Sequence, residues 1–172
     1  MEIHLSKSIL RPWRESDIPA LTKYANNLLI AQNLRDIFPY PYTSYDAEFF
    51  ISQIANSDNR QLTFAIELNG EAVGSIGAHL MNDVYRKNAE IGYWLGQPYW
   101  NRGIITEALQ ALVTHIFNNY DICRLFANVF YTNTASIKVL EKCNFTKEAT
   151  HRKAVIKNGK VMDELVYVRF RD

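Results

Sequence analysis

Glu90 lies thirteen residues before Gly103, and between them the chain runs through Asn101 and Arg102 into a helix. Gly103 has no Cβ, so a ligand can come close to the backbone there. From Ile105 an apolar stripe follows at helical spacing, Ile105, Leu109, Leu112 and Ile116. The first four N–H groups of a helix have no internal partner, and the helix dipole adds partial positive charge at that end. A turn with these properties is a site for phosphate. Such turns also occur in many strand–turn–helix units that bind nothing. A carboxylate on the entering strand shifts the reading towards a base set beside a phosphorylated cofactor. The competing reading of Glu90 is a strand-end carboxylate paired with Arg or Lys. A free glutamate, with a pKa of ~4.3, is a poor acceptor of an ammonium proton, so a catalytic Glu90 needs burial, for which Ile91, Trp94 and Leu95 are the expected neighbours.

The elements that must hold these residues can be read on either side. Residues 89–96 carry β-branched and aromatic side chains and read as a strand, and Pro98 stops further pairing. The long helix then runs to about Asn118. Earlier, residues 3–13 read as one strand ending at Arg11, Pro12 and Trp13. Ser16 is the expected cap of a helix through about Asn26, with Pro19 in its tolerated first turn. Residues 28–42 hold a short helix and then an irregular Phe38–Tyr42 stretch. Thr43 to Asp46 is a capping-box pattern, and Ala47, Phe50, Ile51 and Ile54 give the next helix its apolar face. Residues 62–68 and 72–80 read as strands joined by Asn69 and Gly70, a hairpin signal. After residue 118 come a strand at 124–131, a short helix to about Lys142, Asn144 as a helix-ending residue, and a long hairpin, 145–156 and 160–170, turned at Asn158 and Gly159. A mixed sheet with helices on both faces is the natural packing for this order.

The chain of 172 residues reads as a single domain spanning 1–172, with 48% hydrophobic and 22% charged residues. Its net charge of +1 gives a nucleic-acid partner no bulk electrostatic support. No apolar run approaches a membrane span, and the N-terminus lacks the apolar core of a signal peptide. Cys123 and Cys143 form no CxxC pair, and we read them as free thiols in a reducing cytoplasm. His4, His79, His115 and His151 are scattered without metal-ligand spacing, so no metal is expected.

Taken together, these residues resemble the GNAT superfamily of N-acetyltransferases, and within it the Rim-type branch that acetylates ribosomal-protein N-termini. The resemblance covers about residues 9–170. It rests on Leu10–Trp13 with Asp17, the Ala89–Tyr93 strand, the Trp100–Ala108 loop and helix start, Asn133–Ser136 with Val139–Lys142 and Phe145, and Gly159 with Asp163. It implies a GNAT-like, mainly antiparallel central sheet, acetyl-CoA as co-substrate and a primary amine as acceptor. On this resemblance the CoA pyrophosphate lies on backbone amides of Asn101, Arg102, Gly103, Ile104, Ile105 and Thr106. The pantetheine arm runs along Trp94, Leu95 and Gly96, Asn133 and Ser136 hold it, and Lys138 reaches a phosphate. Glu90 is then the general base, and the Trp94 N–H is the expected donor to the thioester oxygen. Asn133 also suits a plain helix N-cap, and His79 a half-buried structural role.

Two positions depart from the family pattern. Ile105 and Asn101 stand where it favours small residues, so their side chains must point away from the ligand. Leu140 stands where many members carry the tyrosine that protonates the leaving thiolate. Either another acid serves or the thiolate leaves unassisted, which a thiol pKa near ~8.5 allows. Cys143, near a helix C-terminus that disfavours a thiolate, is not expected to carry the acyl group, so attack is direct in a ternary complex. The expected acceptor is a peptide or protein N-terminal α-amine, walled by residues 28–45 and the final hairpin. The alternatives are a small metabolite or drug amine, or a non-catalytic acyl-CoA-binding module on the same fold. A monomer or a homodimer suits either.

Overall fold

The computed structural model describes residues 2–58 and 60–171. Its strands are β1 (Ile3–His4), β2 (Ile9–Arg11), β3 (Gln61–Leu68), β4 (Glu71–Leu80), β5 (Asn88–Leu95), β6 (Arg124–Phe130), β7 (Thr146–Lys157) and β8 (Lys160–Phe170). Its helices are α1 (Ile18–Ala25), α2 (Leu28–Ala31), α3 (Ser44–Ala55), α4 (Ile104–Asn119) and α5 (Thr134–Lys142). The strands form one sheet in the order β1-β2-β3-β4-β5-β6-β8-β7. All neighbours are antiparallel except β5 and β6. None of the helices is long and apolar enough to cross a membrane among the described residues.

Two elements differ from the sequence reading. The expected strand 3–13 is a small hairpin, with Ile3 opposite Leu10. Its polar turn is held from far along the chain, where the Glu107 carboxylate accepts from the backbone N–H of Ser6 (2.8 Å) and Lys7 (3.2 Å). Ser16 makes no capping bond. Instead a 3-10 turn, Glu15–Asp17, leads into α1, and the Asp17 carboxylate accepts from the Arg14 N–H at 2.9 Å. Asp17 also takes two bonds from buried Arg11 (2.7 and 2.8 Å), and Glu67 completes the cluster. The Arg11 and Asp17 of the opening motif therefore fix the chain's entry to the sheet.

Elsewhere the local signals lead to the observed elements. Asn69, Gly70, Asn158 and Gly159 all take positive φ, as tight hairpin turns need. Thr43 and Asp46 form the reciprocal capping box of α3. One sheet face is covered by α4 and α5. Ile104, Leu109, Leu112 and Ile116 of α4 are buried against Ile76, Ala78, Ile91 and Leu125. Each such side chain contributes roughly 1.5–3 kcal/mol through burial, so packing sets where α4 begins. The other face carries α1 and α3, with Leu21, Ala25, Ala47 and Ile51 over Ala65 and Ala72.

Candidate active site

β5 and β6 pair only at Asn88, Ala89 and Glu90, opposite Arg124, Leu125 and Phe126. Beyond Glu90 the strands part, so one side of β5 has no strand partner. Which amides face that opening follows from the β4–β5 ladder. Its register is unbroken from Leu80↔Ala89 to Gly74↔Leu95, and the Met81 N–H bonds the Asn88 carbonyl just before it at 2.9 Å. Peptide groups alternate along an antiparallel strand, so those of residues 88, 90, 92 and 94 face β4. Two contacts agree. The Gly96 N–H donates to Val73 at 2.8 Å, and the Leu95 carbonyl faces the other way, accepting from the Trp100 indole at 2.7 Å. The Trp94 N–H is therefore directed at Ser75 and is not an open donor, contrary to the sequence reading. The N–H groups of Tyr93 and Leu95 face the opening instead. Gly96 is likewise spent on the sheet, and the Tyr24 ring packs against it.

The opening continues into a cleft of about 520 Å³ that runs to the start of α4. Trp94, Leu95, Asn101 to Thr106, Asn133 and Ser136 line it together, and Gly96 is not among its lining residues. Asn101 and Gly103 take left-handed φ values of 58° and 73°, which turn the chain sharply into α4. The first helical bond is Glu107 N–H to the Gly103 carbonyl, at 3.1 Å. The N–H groups of Ile104, Ile105 and Thr106 thus have no intrahelical acceptor, and Gly103 has no side chain to cap them. The Ile104 and Ile105 side chains are buried in the core, which is how this loop accommodates isoleucine where small residues are usual. Lys138 and Lys142 stand along the cleft. Asn133 caps α5, its side-chain oxygen accepting from the Ser136 N–H at 3.2 Å, and its amide NH₂ remains a donor. These groups suit a ligand with an extended polar arm and a diphosphate.

A second cleft, of about 660 Å³, lies on the other side of Trp94 and shares Asn33, Leu34, Tyr93 and Trp94 with the first. Glu90, Gly92 and Trp94 project from β5 onto its floor, beside Ser75, Gly77 and His79 of β4. A Cβ on Gly92 would meet nothing within 4 Å. The expected apolar neighbours of Glu90 divide between the two faces of the sheet. Side chains alternate along a strand, so Trp94 shares the cleft floor with Glu90, while Ile91 and Leu95 face the opposite core and polar groups take their place. Its carboxylate pairs with Arg35 and accepts weakly from the Asn128 amide at 3.5 Å. The walls differ from expectation too. Arg35 and Phe38 come from the 28–45 segment, but α3 supplies Phe50, Gln53 and Ile54, and the final hairpin supplies Glu164 alone. Tyr42 is buried against Phe38, and Lys157 turns away to Asp36 at 2.6 Å. His79 bonds Gln61 at 3.0 Å.

The acetyltransferase (GNAT) domain family matches residues 7–146. The chain belongs to the GNAT acetyltransferases. Among curated relatives, an uncharacterized N-acetyltransferase p20 of Bacillus licheniformis is 26% identical over 97% of this chain and 88% of that protein. The ribosomal-protein-serine acetyltransferase of Escherichia coli (strain K12) is 31% identical over 63% of this chain and 60% of its own length. Among solved structures, RimL, a ribosomal-protein alpha-N-acetyltransferase in complex with coenzyme A, superposes with a TM-score of 0.86 at 26% identity, covering 99% of this chain and 98% of that one. An acetyltransferase from Salmonella typhimurium that modifies the N-terminal serine of a 50S ribosomal subunit protein gives 0.84 at 27%, covering 98% and 97%. The protein is an N-acetyltransferase of mixed α/β GNAT fold.

Within this GNAT site neither Cys123 nor Cys143 is among the described residues that line the two clefts. Cys143 is fully buried, its Sγ 3.5 Å from the Thr106 carbonyl, and burial pushes its thiol up to about 11. Leu140 is equally buried and offers no proton. Three polar residues were not singled out from sequence. The Tyr93 hydroxyl meets Ser136 Oγ at 2.8 Å on the side of the first cleft, and burial raises its pKa. Asn128 touches Glu90, and Lys7 Nζ donates to the Arg102 carbonyl at 3.1 Å. Asn128 had a visible signal, a lone polar residue inside an apolar strand. Lys7 had none, because only the fold brings it to the loop.

Proposed function

We propose that this GNAT enzyme transfers an acetyl group from acetyl-CoA to an α-amino nitrogen, with a peptide or protein N-terminus as acceptor. The observation that carries this reading is the junction of the clefts. One offers unpaired helix-start amides and open strand amides, the other offers a carboxylate, and Tyr93 and Trp94 form their common wall. The diphosphate of acetyl-CoA would lie on the amides of Ile104 to Thr106, and its arm along the open edge of β5. The Tyr93 or Leu95 N–H then faces the thioester oxygen and stabilises the charge that develops on it. Glu90, directly or through a water, takes the proton released as the amine nitrogen bonds to the carbonyl carbon. The C–S bond breaks, and the thiolate leaves and takes a proton.

Proton cost favours an α-amine. At pH 7.5 an α-amino group is within about 0.7 kcal/mol of its free base, whereas a lysine side chain needs about 4 kcal/mol. The test is thiol release from acetyl-CoA with an amine panel of short N-terminal peptides, lysine side-chain amines, spermine and an aminoglycoside. Peptides should lead in kcat/KM by about tenfold or more. A tenfold preference for either polycation overturns the acceptor, and acetyl-CoA binding with no transfer to any amine overturns catalysis.

A further inference from the structure

Arg35 is the one lysine or arginine among the described residues that line the acceptor-side cleft. Its guanidinium holds Glu90 through a single nitrogen, Nη2, and its side chain is 62% exposed, against 24% for the carboxylate. A guanidinium has five N–H donors in a planar fork that suits a carboxylate, so most of this fork is unused. The next residue, Asp36, is tied to the buried Lys157 Nζ at 2.6 Å. The backbone at Arg35 is held by the Phe38 N–H, which donates to the Arg35 carbonyl at 3.0 Å, while its long side chain reaches through solvent to Glu90. Of the other charged groups at the cleft, Asp58 is paired with Arg60, and Glu164 lies 3.7 Å from the His151 ring.

We infer that Arg35 selects acceptors that carry a carboxylate close to the reacting amine, binding that carboxylate while the amine takes its place at Glu90. This rests on the proposed role of the cleft in holding an α-amine. The argument is one of charge pairing. In the free enzyme Arg35 occupies the position that an acceptor ammonium needs. A purely cationic acceptor displaces it and leaves the guanidinium without a partner. An acceptor with both charges replaces one ion pair with two, ammonium on Glu90 and carboxylate on Arg35, and bidentate Arg–carboxylate bonds are among the stronger polar contacts. The carboxylate has two sources, the side chain of an acidic residue next to a peptide N-terminus or the α-carboxylate of a free amino acid.

The experiment measures thiol release by the intact protein with acetyl-CoA. One arm uses hexapeptides that begin with serine and differ only in aspartate, asparagine or lysine at the second position. The other compares serine with serinamide. Wild type should favour the acidic member of at least one arm by about tenfold in kcat/KM, or about 1.4 kcal/mol. The arm that responds identifies the carboxylate's source. In Arg35→Gln that ratio should fall to within about twofold, and Arg35→Glu should favour the lysine peptide over the aspartate peptide. Both arms flat in wild type, or a preference that survives Arg35→Gln, overturns this inference alone. Transfer to polyamines but to no α-amine overturns it together with the proposed acceptor class, so the two failures are distinguishable.

Discussion

Replacing Glu90 with glutamine tests the base most directly. Glutamine keeps the size and an oxygen that accepts from Asn128 and Arg35, but it cannot take a proton. A positioned general base contributes roughly 10²–10⁴ in rate, or about 2.7–5.4 kcal/mol. The structure limits how that loss divides. Glu90 is partly exposed and its Arg35 partner more so, so losing their ion pair costs only about 0–1 kcal/mol of stability. Melting temperature should hardly move. Deprotonating an α-amine before attack costs about 0.7 kcal/mol at pH 7.5, a factor of about three. Raising the pH to 9 should recover about that factor and no more, because the rest of the loss lies in removing the proton during transfer. The assay is kcat for thiol release across pH 6.5–9.5 with a saturating peptide, beside CoA titrations to show unchanged binding. A Glu90→Gln enzyme within threefold of wild type at neutral pH would falsify the assignment.

Five further substitutions examine the frame around the site. Gly103→Val should weaken CoA binding at least tenfold, about 1.4 kcal/mol. The φ of 73° is unfavourable for valine whatever the space around it, so the loop must shift its amides, whereas Lys7 Nζ, which the Cβ would meet at 2.8 Å, is the flexible end of a side chain and can move aside; unchanged affinity in a folded variant moves the phosphate site elsewhere. Asp17→Ala removes two bonds from the buried Arg11 guanidinium, which keeps Glu67 as its partner, and should cost about 1.5–3 kcal/mol in denaturant unfolding, a prediction that fails if the loss is below about 1 kcal/mol. Cys143→Ser and Cys123→Ser should keep most activity with intersecting initial-rate lines, whereas parallel lines and a trapped acetyl-cysteine mean ping-pong transfer. The Cys143 thiol also has a pH signature. Its folded pKa of about 11 exceeds the ordinary value of 9.0, so the unfolded chain loses that proton first. Stability from this group is full below pH 9 and declines as pH rises towards 11. A Cys143→Ala variant should lack that decline, and identical alkaline unfolding profiles would refute it.

The sequence is most informative where structure is local. The turns at Asn69–Gly70 and Asn158–Gly159, the Thr43–Asp46 capping box and the α4 stripe each need only neighbours within a few residues. What is missed depends on partners far along the chain. The break in the first strand is held by Glu107, about a hundred residues away, and Glu90 is paired by Arg35, 55 positions earlier. The surroundings of Glu90 differ from expectation for a simpler reason. Sequence neighbours at odd spacing face opposite sides of a sheet, so of the three expected neighbours Trp94 shares its face, whereas Ile91 and Leu95 cannot enclose it. The same alternation, applied to peptide groups, reassigns the open amides from Trp94 to Tyr93 and Leu95. That step needs the register with β4, which the sequence does not contain.

Amide hydrogen exchange tests this reassignment without any mutation. In the free protein the Trp94 N–H is paired across to Ser75 within a seven-pair ladder, so its exchange should follow the slow opening of the sheet. The Tyr93 and Leu95 N–H groups face the gap where β5 has left β6, and they lack a strand acceptor. Their exchange should be at least about tenfold faster than that of Trp94, although all three lie on one strand. If the co-substrate arm adds along that edge, acetyl-CoA should slow Tyr93 or Leu95 and leave Trp94 nearly unchanged. CoA alone should protect Ile104 to Thr106, because its diphosphate requires no acetyl group. The three strand amides resolve in a ¹⁵N exchange series on the intact protein. Fast exchange at Trp94 that acetyl-CoA then slows would place the open donor at Trp94 after all, and would mean that the β4–β5 register is shifted by one residue in solution.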